Sequence, residues 1–385
     1  ALHQEGFDVQ VYESVQELAP LGVGINLLPH AMAALGRLGL LDTVLPLGVQ
    51  TAELCFFNRH GQLIWREPRG LAAGYPVPQL SVHRGRLHMA LLAEARARLG
   101  ADRVRTGHVL REFDDGYGGR VHIELLDRHT DTIVSDEGDA LIGADGIHST
   151  VRSAFYPSEG APSWQGNVLW RAITRWPAFL TGRSMFMAGH RPHKFVAYPL
   201  TEPDAAGMVT VNWIAELDRT AIGLARREDW NRQGVLDDFL PHFRDWVFPW
   251  LDIPQMILAA DATYEFPMVD RDPLPRWTHG RVTLLGDSAH PTLPYLAQGA
   301  VMAIEDGMVL TRALGMRPNA EEALRLYERN RVDRTAKIVE QSTFNRYLFH
   351  LPNVQAMRDA FARRDEGEDR NKWLYSYNPL TVRLD

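Results

Sequence analysis

In 385 residues there is one cysteine, Cys55, which excludes an internal disulfide and points to a reducing compartment. A single thiol without paired Cys/His spacing also argues against a metal site. His190 and His193 lie three apart around a proline and read as a surface pair. Basic charge is not in surplus: charged residues make up 23 % and the formal net charge is −7, so neither a nucleic-acid backbone nor anionic lipid is an expected partner. Apolar runs such as Ala140-Leu141-Ile142 fall far short of the ~20 residues of a membrane helix. The opening Ala1-Leu2-His3-Gln4-Glu5-Gly6 lacks the basic-then-apolar pattern of a secretion signal. Together these absences favour a cytoplasmic protein without a membrane anchor. No repeat or low-complexity segment is present. Hydrophobic residues, at 45 %, are enough for a large core, and the length suits two or three domains.

Ala1 to Gly6 reads as the end of a helix with Gly6 at its C-cap, leading into the strand Asp8 to Tyr12. A domain rarely starts halfway through a βαβ unit, so a preceding strand and most of a helix are expected upstream. A glycine-marked loop, Leu21 to Asn26, precedes a helix from Pro29. A second helix runs from Arg86 to Leu99, with Leu87, Leu91, Ala95 and Leu99 on one stripe and Gly100 as its stop. Val121 to Leu125 belongs to a hairpin turning at Asp115-Gly116-Tyr117-Gly118-Gly119. Ala140 to Ala144 reads as a parallel strand buried on both faces. Trp164 to Trp277 is β-rich. After it the chain returns to the first sheet at Arg281 to Leu285 and becomes helical, with a helix over Glu321 to Ser342.

Two strands end in glycine-aspartate pairs, Gly143-Ala144-Asp145-Gly146 and Leu284-Leu285-Gly286-Asp287. At the carboxyl end of a parallel strand, glycine admits a phosphate or sugar and a carboxylate accepts from its hydroxyls, which suits a dinucleotide. The plainer reading is a turn with Asp as a helix N-cap. Gly286-Asp287-Ser288-Ala289-His290 also looks like a nucleophile turn, but that turn is G-x-S-x-G and His290 replaces its second glycine, so hydrolysis is disfavoured. Gln298-Gly299-Ala300 opens a helix whose N-terminus could stabilise negative charge on a reduced ring. Glu13 follows the first strand, where a carboxylate can bind adenosine ribose. Arg84 at a helix start is electrostatically misplaced unless an anion is near. Trp170, Phe195, Tyr198, Trp213 and Phe266 line a β-rich core or a pocket.

Val11-Tyr12-Glu13, Gly22-Val23-Gly24-Ile25, His83-Arg84, Gly143 to Gly146 with Arg152, Gly286 to His290 with Pro294, and Tyr327-Glu328 with Arg331 together resemble the class A flavoprotein monooxygenases, the p-hydroxybenzoate hydroxylase-like group. Pro20 to Asn26, Ser81 to Gly85, Val196 to Pro199 and Pro267 to Pro275 look most like the methylphenazine-carboxylate monooxygenases. Pro294 to Ala300 looks like the salicylate and 3-hydroxybenzoate hydroxylases.

The resemblance implies an α/β fold: a Rossmann-like FAD-binding domain (1–160, resumed at 278–320), an interleaved β-rich substrate domain (161–277) and a helical C-terminal region (321–385). It implies hydroxylation of an aromatic or N-heteroaromatic carboxylate or phenazine with FAD, NADH or NADPH, and O2, through a flavin C4a-hydroperoxide, in a monomer or homodimer. The alternatives are a flavin oxidase or reductase that inserts no oxygen, and a truncated binding module. By the same resemblance Glu13 and Ser14 serve the adenosine ribose, Leu110 the adenine through its backbone, and Arg84 the pyrophosphate. Gly24, Gly286, Asp287, Pro294, Gln298, Gly299 and Ala300 serve the remainder of FAD, and Asp145 with Gly146 the motif shared between FAD and NAD(P)H. Tyr198 and Tyr295 would wall the substrate, and no catalytic side chain is assigned. The family's G-x-G-x-x-G loop, about 20 residues before the ribose carboxylate, has no room before Glu13, so an incomplete chain is expected.

Overall fold

The computed structural model describes residues 1–20, 22–116, 118–221, 232–365 and 372–385; Leu21 and Tyr117, in two of the predicted loops, lie outside these. Two parallel pairs mark the dinucleotide-binding part. Val11–Glu13 runs beside Val104–Thr106, and Leu141–Gly143 beside Val282–Leu284. The predicted hairpin is present as His108–Asp114 against Val121–Asp127, extended by Thr132–Gly138. Leu141 and Ile142 are half-buried, short of the burial on both faces expected from their apolar character.

The predicted Leu21–Asn26 loop is partly strand: Gly24–Leu27 pairs antiparallel with Gln79–His83, which also pairs with Gly48–Thr51. Only this distant partner makes the segment extended, since its local sequence carries loop residues. The Arg84–Leu99 helix begins two residues earlier than its apolar stripe suggests, because His83 caps it by accepting the Arg86 N–H at 3.3 Å.

The largest sheet has seven strands, in the order Thr263–Asp270, Ser163–Pro177, Met208–Asp218, His193–Pro199, Ser184–His190, Glu53–Phe57, Leu63–Pro68. The last two come from before residue 160, so chain segments far apart in sequence share one sheet. Strand periodicity sorts this sheet into two faces. One face stacks Trp170, Phe186, Phe195 and Trp213 with Phe239 and Phe243 into an aromatic core. The other carries Leu54, Phe56, Leu169, Phe266 and Met268 and packs on Leu293, Tyr295, Phe349 and Phe361. The second face is where the two parts of the molecule meet, and its polar interruptions build the site.

The Ala320–Phe349 helix starts at Asn319, whose side chain accepts the Glu322 N–H at 3.0 Å, with Glu321 and Glu322 in the first turn. It lies on the Gly299–Met316 helix. Between them Arg331, fully buried, bonds Asp306 (2.7 Å) and Glu305 (2.7 Å), while Arg334 holds Glu305 (2.8 Å). Among the described residues no helix is long and apolar enough to cross a membrane, and no group of His, Cys, Asp and Glu could hold a metal ion.

Candidate active site

After the Val282–Leu284 strand the chain tightens into the Gly286–Ser288 turn, with Gly286 at φ 67° in the left-handed region. The Gly286 N–H donates to Asp306 Oδ2 at 3.1 Å, and His290 Nε2 meets the same oxygen at 2.6 Å. Ser288 is fully buried and hydrogen-bonded to the Gly143 carbonyl. His290 is thus engaged by Asp306 and Ser288 by backbone, so no nucleophile–base pair forms and the hydrolase reading is excluded. Burial alone would raise the Asp306 carboxyl, but the charges of His290 and Arg331 outweigh it and hold it at about 2.

Asp287 points away from this knot. A Cβ on Gly299 would lie 4.0 Å from its Oδ1, so the aspartate stands beside the N-terminus of the Gly299–Met316 helix. Its side chain is exposed, with protein packed around its base. Desolvation by that surrounding protein raises its carboxyl above the ordinary value, against the opposing charges of His290 and Arg84. Between the two, Pro294–Leu296 makes a single turn and Ala297 takes φ 55°, a left-handed conformation that a non-glycine residue rarely adopts. Gln298 turns inward: its Oε1 lies 3.3 Å from His30 Nε2. The helix start has no side-chain cap, which leaves its backbone N–H groups to a ligand.

The facing wall comes from Gly22 and Gly24. The Arg84 stem packs over Gly22, its Cδ 3.5 Å from where a Cβ would stand. Gly24 is pinned to the large sheet: its N–H donates to Asn212 Oδ1 at 2.6 Å and its carbonyl accepts from Arg171 Nη2 at 3.2 Å. A Cβ there would sit 2.7 Å from both Asn212 Cβ and Tyr198 Cε2. Gly24→Ala is therefore expected to push the Gly24–Leu27 strand off the large sheet and weaken FAD retention by about fivefold to a hundredfold, the ~1–3 kcal/mol cost of overpacking, in a flavin titration. The Arg171 guanidinium lies 5.4 Å from the Phe266 ring centre. Its Nε and Asn212 Nδ2 are buried donors without acceptors. Tyr198 is buried beside them; burial pushes its phenol up to about 12, with Arg171 pulling the other way.

Other predicted residues lie apart from this convergence. Glu13 ends its parallel strand, with Oε1 accepting the Val15 N–H at 2.8 Å and the Ser14 hydroxyl at 3.2 Å. Leu110 lies in the neighbouring antiparallel sheet opposite Leu125. The plainer reading made Asp145 a helix N-cap, but the N-cap of the Thr150–Phe155 helix is Ser149, whose hydroxyl accepts the Arg152 N–H at 2.8 Å; Asp145 Oδ2 instead reaches the same helix start from the preceding turn, accepting the N–H of Thr150 at 2.7 Å and of Val151 at 3.3 Å. Gly146 beside it is in the left-handed region at φ 78°.

A pocket opens on Pro294, Leu296 and Ala297. Its floor is the second face of the large sheet, with Leu54, Phe56, Met185 and Met187, and its inner wall is Tyr295 and Phe349. Arg69 and Glu67 form an ion pair at the rim, where Arg69 also donates to the Tyr375 hydroxyl at 2.7 Å. Tyr295 lines this pocket; Tyr198 is packed instead against Gly24. The Tyr295 hydroxyl donates to Glu216 Oε1 at 2.6 Å. Arg171, Asn212 and Arg69 were not foreseen from sequence. Each is a lone polar residue in or beside a strand, a pattern indistinguishable from ordinary alternation.

Residues 1–342 match the family described as the FAD binding domain. The chain belongs to the FAD-dependent aromatic monooxygenases. It is 44 % identical over 344 residues to the phenazine 1,6-dicarboxylic acid hydroxylase of Lysobacter antibioticus, covering 88 % of this chain and 84 % of that protein. It is 32 % identical over 391 residues to the 3-hydroxybenzoate 6-hydroxylase of Polaromonas naphthalenivorans, covering 98 % and 92 %. Among solved structures, Klebsiella pneumoniae HpxO in complex with FAD and uric acid superposes with a TM-score of 0.75 at 25 % identity, over 97 % of this chain and 90 % of that one. The mixed likeness to phenazine and hydroxybenzoate hydroxylases expected from the motifs is thus present in whole-chain comparison, as is the expected fold. The residues fit FAD. Two buried donors lack acceptors and one helix start is uncapped.

Proposed function

We propose that this enzyme hydroxylates an electron-rich aromatic or N-heteroaromatic acid, with a phenazine carboxylate as the first substrate to try, using O2 and FAD reduced by NADH or NADPH. The observation that carries this reading is the pocket of methionine and aromatic side chains opening on the Pro294–Ala297 loop and the Gly299 helix start. Its apolar floor suits a flat ring and excludes water from it. The 44 % identity to a phenazine hydroxylase supports the same substrate class.

In this reading Arg84, Asp287 and the backbone of Gly299 and Ala300 hold FAD, with Pro294, Gln298 and Gly286 shaping the loop. Glu13, Ser14 and Leu110 hold its adenosine end, and Asp145 and Gly146 border the nicotinamide's approach. When bound, FAD supplies the activated oxygen. The chain's own contribution is to orient the ring and keep it dry. Arg171 and Asn212 offer N–H donors next to Tyr198, and Phe56, Tyr295 and Phe349 fix the ring plane. Burial pushes the Tyr198 phenol up to about 12, so it stays protonated at neutral pH and can donate. We place the enzyme in the cytoplasm as a monomer or homodimer; the buried free thiol of Cys55, raised to about 11 by burial, fits a reducing setting.

The test is NAD(P)H oxidation by the FAD-loaded protein against a panel of phenazine and benzene carboxylates. The expected result is oxidation stimulated by one class and a product one oxygen atom heavier. Oxidation that yields only hydrogen peroxide with every ligand would instead identify an oxidase.

A further inference from the structure

Lys194 is a buried cation that the chemistry above leaves unused and whose ammonium the fold leaves without a hydrogen bond. It is 2 % exposed, and its Nζ has no hydrogen-bond partner. It stands on the pocket-facing side of the large sheet, directly across from Glu216. Its ammonium lies 4.9 Å from the ring centre of Phe349 and 5.4 Å from that of Tyr295, the two aromatics of the inner wall. Burial lowers its pKa to about 8, against the opposing pull of Glu216.

Glu216 does not neutralise this corner. Its Oε1 accepts from Asn167 Nδ2 at 2.6 Å and from the Tyr295 hydroxyl at 2.6 Å, and lies 2.8 Å from His350 Nε2. The other ring nitrogen of His350, Nδ1, faces the Arg346 carbonyl at 2.6 Å. Asn167 Nδ2 also lies 3.3 Å from His350 Nε2. Three groups thus share this one carboxylate oxygen and none of them is Lys194, whose ammonium Glu216 compensates only from across the strand pair. Neighbouring carboxylates are engaged elsewhere: Asp218 is held by Arg191 at 2.8 Å, and Asp270 accepts from Gln165 at 2.6 Å and faces the charge of Arg346, which donates to the Gln165 carbonyl. Arg69, at the rim, already has Glu67.

We propose that Lys194, with His350 beside it, selects substrates carrying a negative charge at the end that enters the pocket against Tyr295 and Phe349, so that the preferred ligand is an aromatic carboxylate with its carboxylate pointing inward. A cation withdrawn from water and only partly compensated favours an anion nearby, and the low-dielectric surroundings carry that preference across the aromatic wall. Lys194 acts here as a specificity and positioning residue, through its field and through the two rings it supports. The inference rests on the hydroxylase reading above and adds the residues that choose the charge of its substrate.

Phenazine-1-carboxylate and its neutral carboxamide have nearly the same shape, and their dissociation constants can be read from the perturbed flavin spectrum of the FAD-loaded protein. The wild type is expected to prefer the carboxylate by on the order of tenfold to a hundredfold. That preference should be lost in Lys194→Met, reduced in His350→Gln and kept in Lys194→Arg, while Arg69→Gln weakens both ligands alike. In the wild type the preference should fade as pH rises through about 8, where Lys194 loses its charge. This profile decides the matter even if Lys194→Met fails to fold. Equal affinities for the two ligands in the wild type, or equal losses in Lys194→Met, overturn the charge selection alone. No binding of either ligand, with no stimulated NAD(P)H oxidation by any aromatic, overturns the hydroxylase reading and this inference with it.

Discussion

Arg331→Met is expected to destabilise the protein by about 3–5 kcal/mol and to weaken its hold on FAD, because removing one partner of a buried ion cluster leaves two buried carboxylates under-compensated, with Asp306 left to His290 and Glu305 to Arg334. Arg331 is fully buried between two carboxylates, at 2.7 Å from Asp306 and 2.7 Å from Glu305. Asp306 in turn holds the Gly286 N–H and His290, and Glu305 lies 3.5 Å from His30. The cluster therefore ties together the Gly286–Ser288 turn, the Gly299–Met316 helix and the Ala320–Phe349 helix. Thermal unfolding of the apoprotein and a flavin titration measure the two losses. Adding Glu305→Gln and Asp306→Asn to the variant should recover part of the stability, since the two under-compensated carboxylates are then gone, less the cost of leaving Arg334 without Glu305. A full-strength unfolding midpoint in Arg331→Met would show that the cluster contributes nothing net.

The same cluster sets an acid limit. The Asp306 carboxyl is depressed from the ordinary 3.8 to about 2 in the fold, so its contribution is present above pH ~4 and is lost as pH falls towards 2. Midpoint against pH should drop across that window in the wild type, and less steeply in the triple variant.

Asp287→Asn is expected to have opposite effects on binding and stability. A carboxylate that accepts charge-assisted hydrogen bonds from a ligand contributes ~1.5–3 kcal/mol, so FAD should bind about tenfold to a hundredfold more weakly. The apoprotein should nevertheless become more stable at neutral pH. Desolvation raises the Asp287 carboxyl, with Asp306 adding to the effect. The folded state therefore binds a proton more tightly than the unfolded chain, and stability falls as pH rises from the ordinary carboxylate range through the raised value. Asparagine removes that penalty, and the difference between variant and wild type should vanish in acid, where both side chains are neutral. Weaker FAD binding together with a lower apo midpoint would mean that Asp287 caps the Gly299 helix in the apoprotein, a structural role in place of the ligand role assigned to it.

Much of the site was readable because it is local. The Gly286 to Ala300 segment keeps its ligand-facing groups within fifteen residues of one another, and their spacing is set by a strand end, two turns and a helix start. Gly286 needs its left-handed backbone whatever surrounds it, and the uncapped helix start is visible as a missing Ser, Thr, Asp or Asn before Gly299. The replacement of the second glycine by His290 was already enough to disfavour a nucleophile turn. The fold then showed why the histidine is there: it is the buried partner of Asp306. Asp145 illustrates the opposite case, where one local pattern served two readings and the folded chain gives the N-cap to Ser149 while Asp145 accepts from the same helix start.

What the sequence by itself determined is the class of molecule: strands that end in glycine and aspartate, an apolar balance with no basic surplus, a single thiol, and motifs specific enough to name the cofactor family. Those signals are short-range or compositional. Which residues stand opposite one another was decided only by tertiary structure. Glu53–Phe57 joins strands more than a hundred residues away, Gly24 reaches Asn212 and Arg171, and Lys194 meets Tyr295, Phe349 and Glu216. A strand shows its two faces by alternation, but the partner on each face is chosen by pairing register and by closure of loops whose length no local pattern encodes. Cofactor chemistry was therefore legible along the chain, and the charge and shape that select a substrate emerged only when its distant strands were laid side by side.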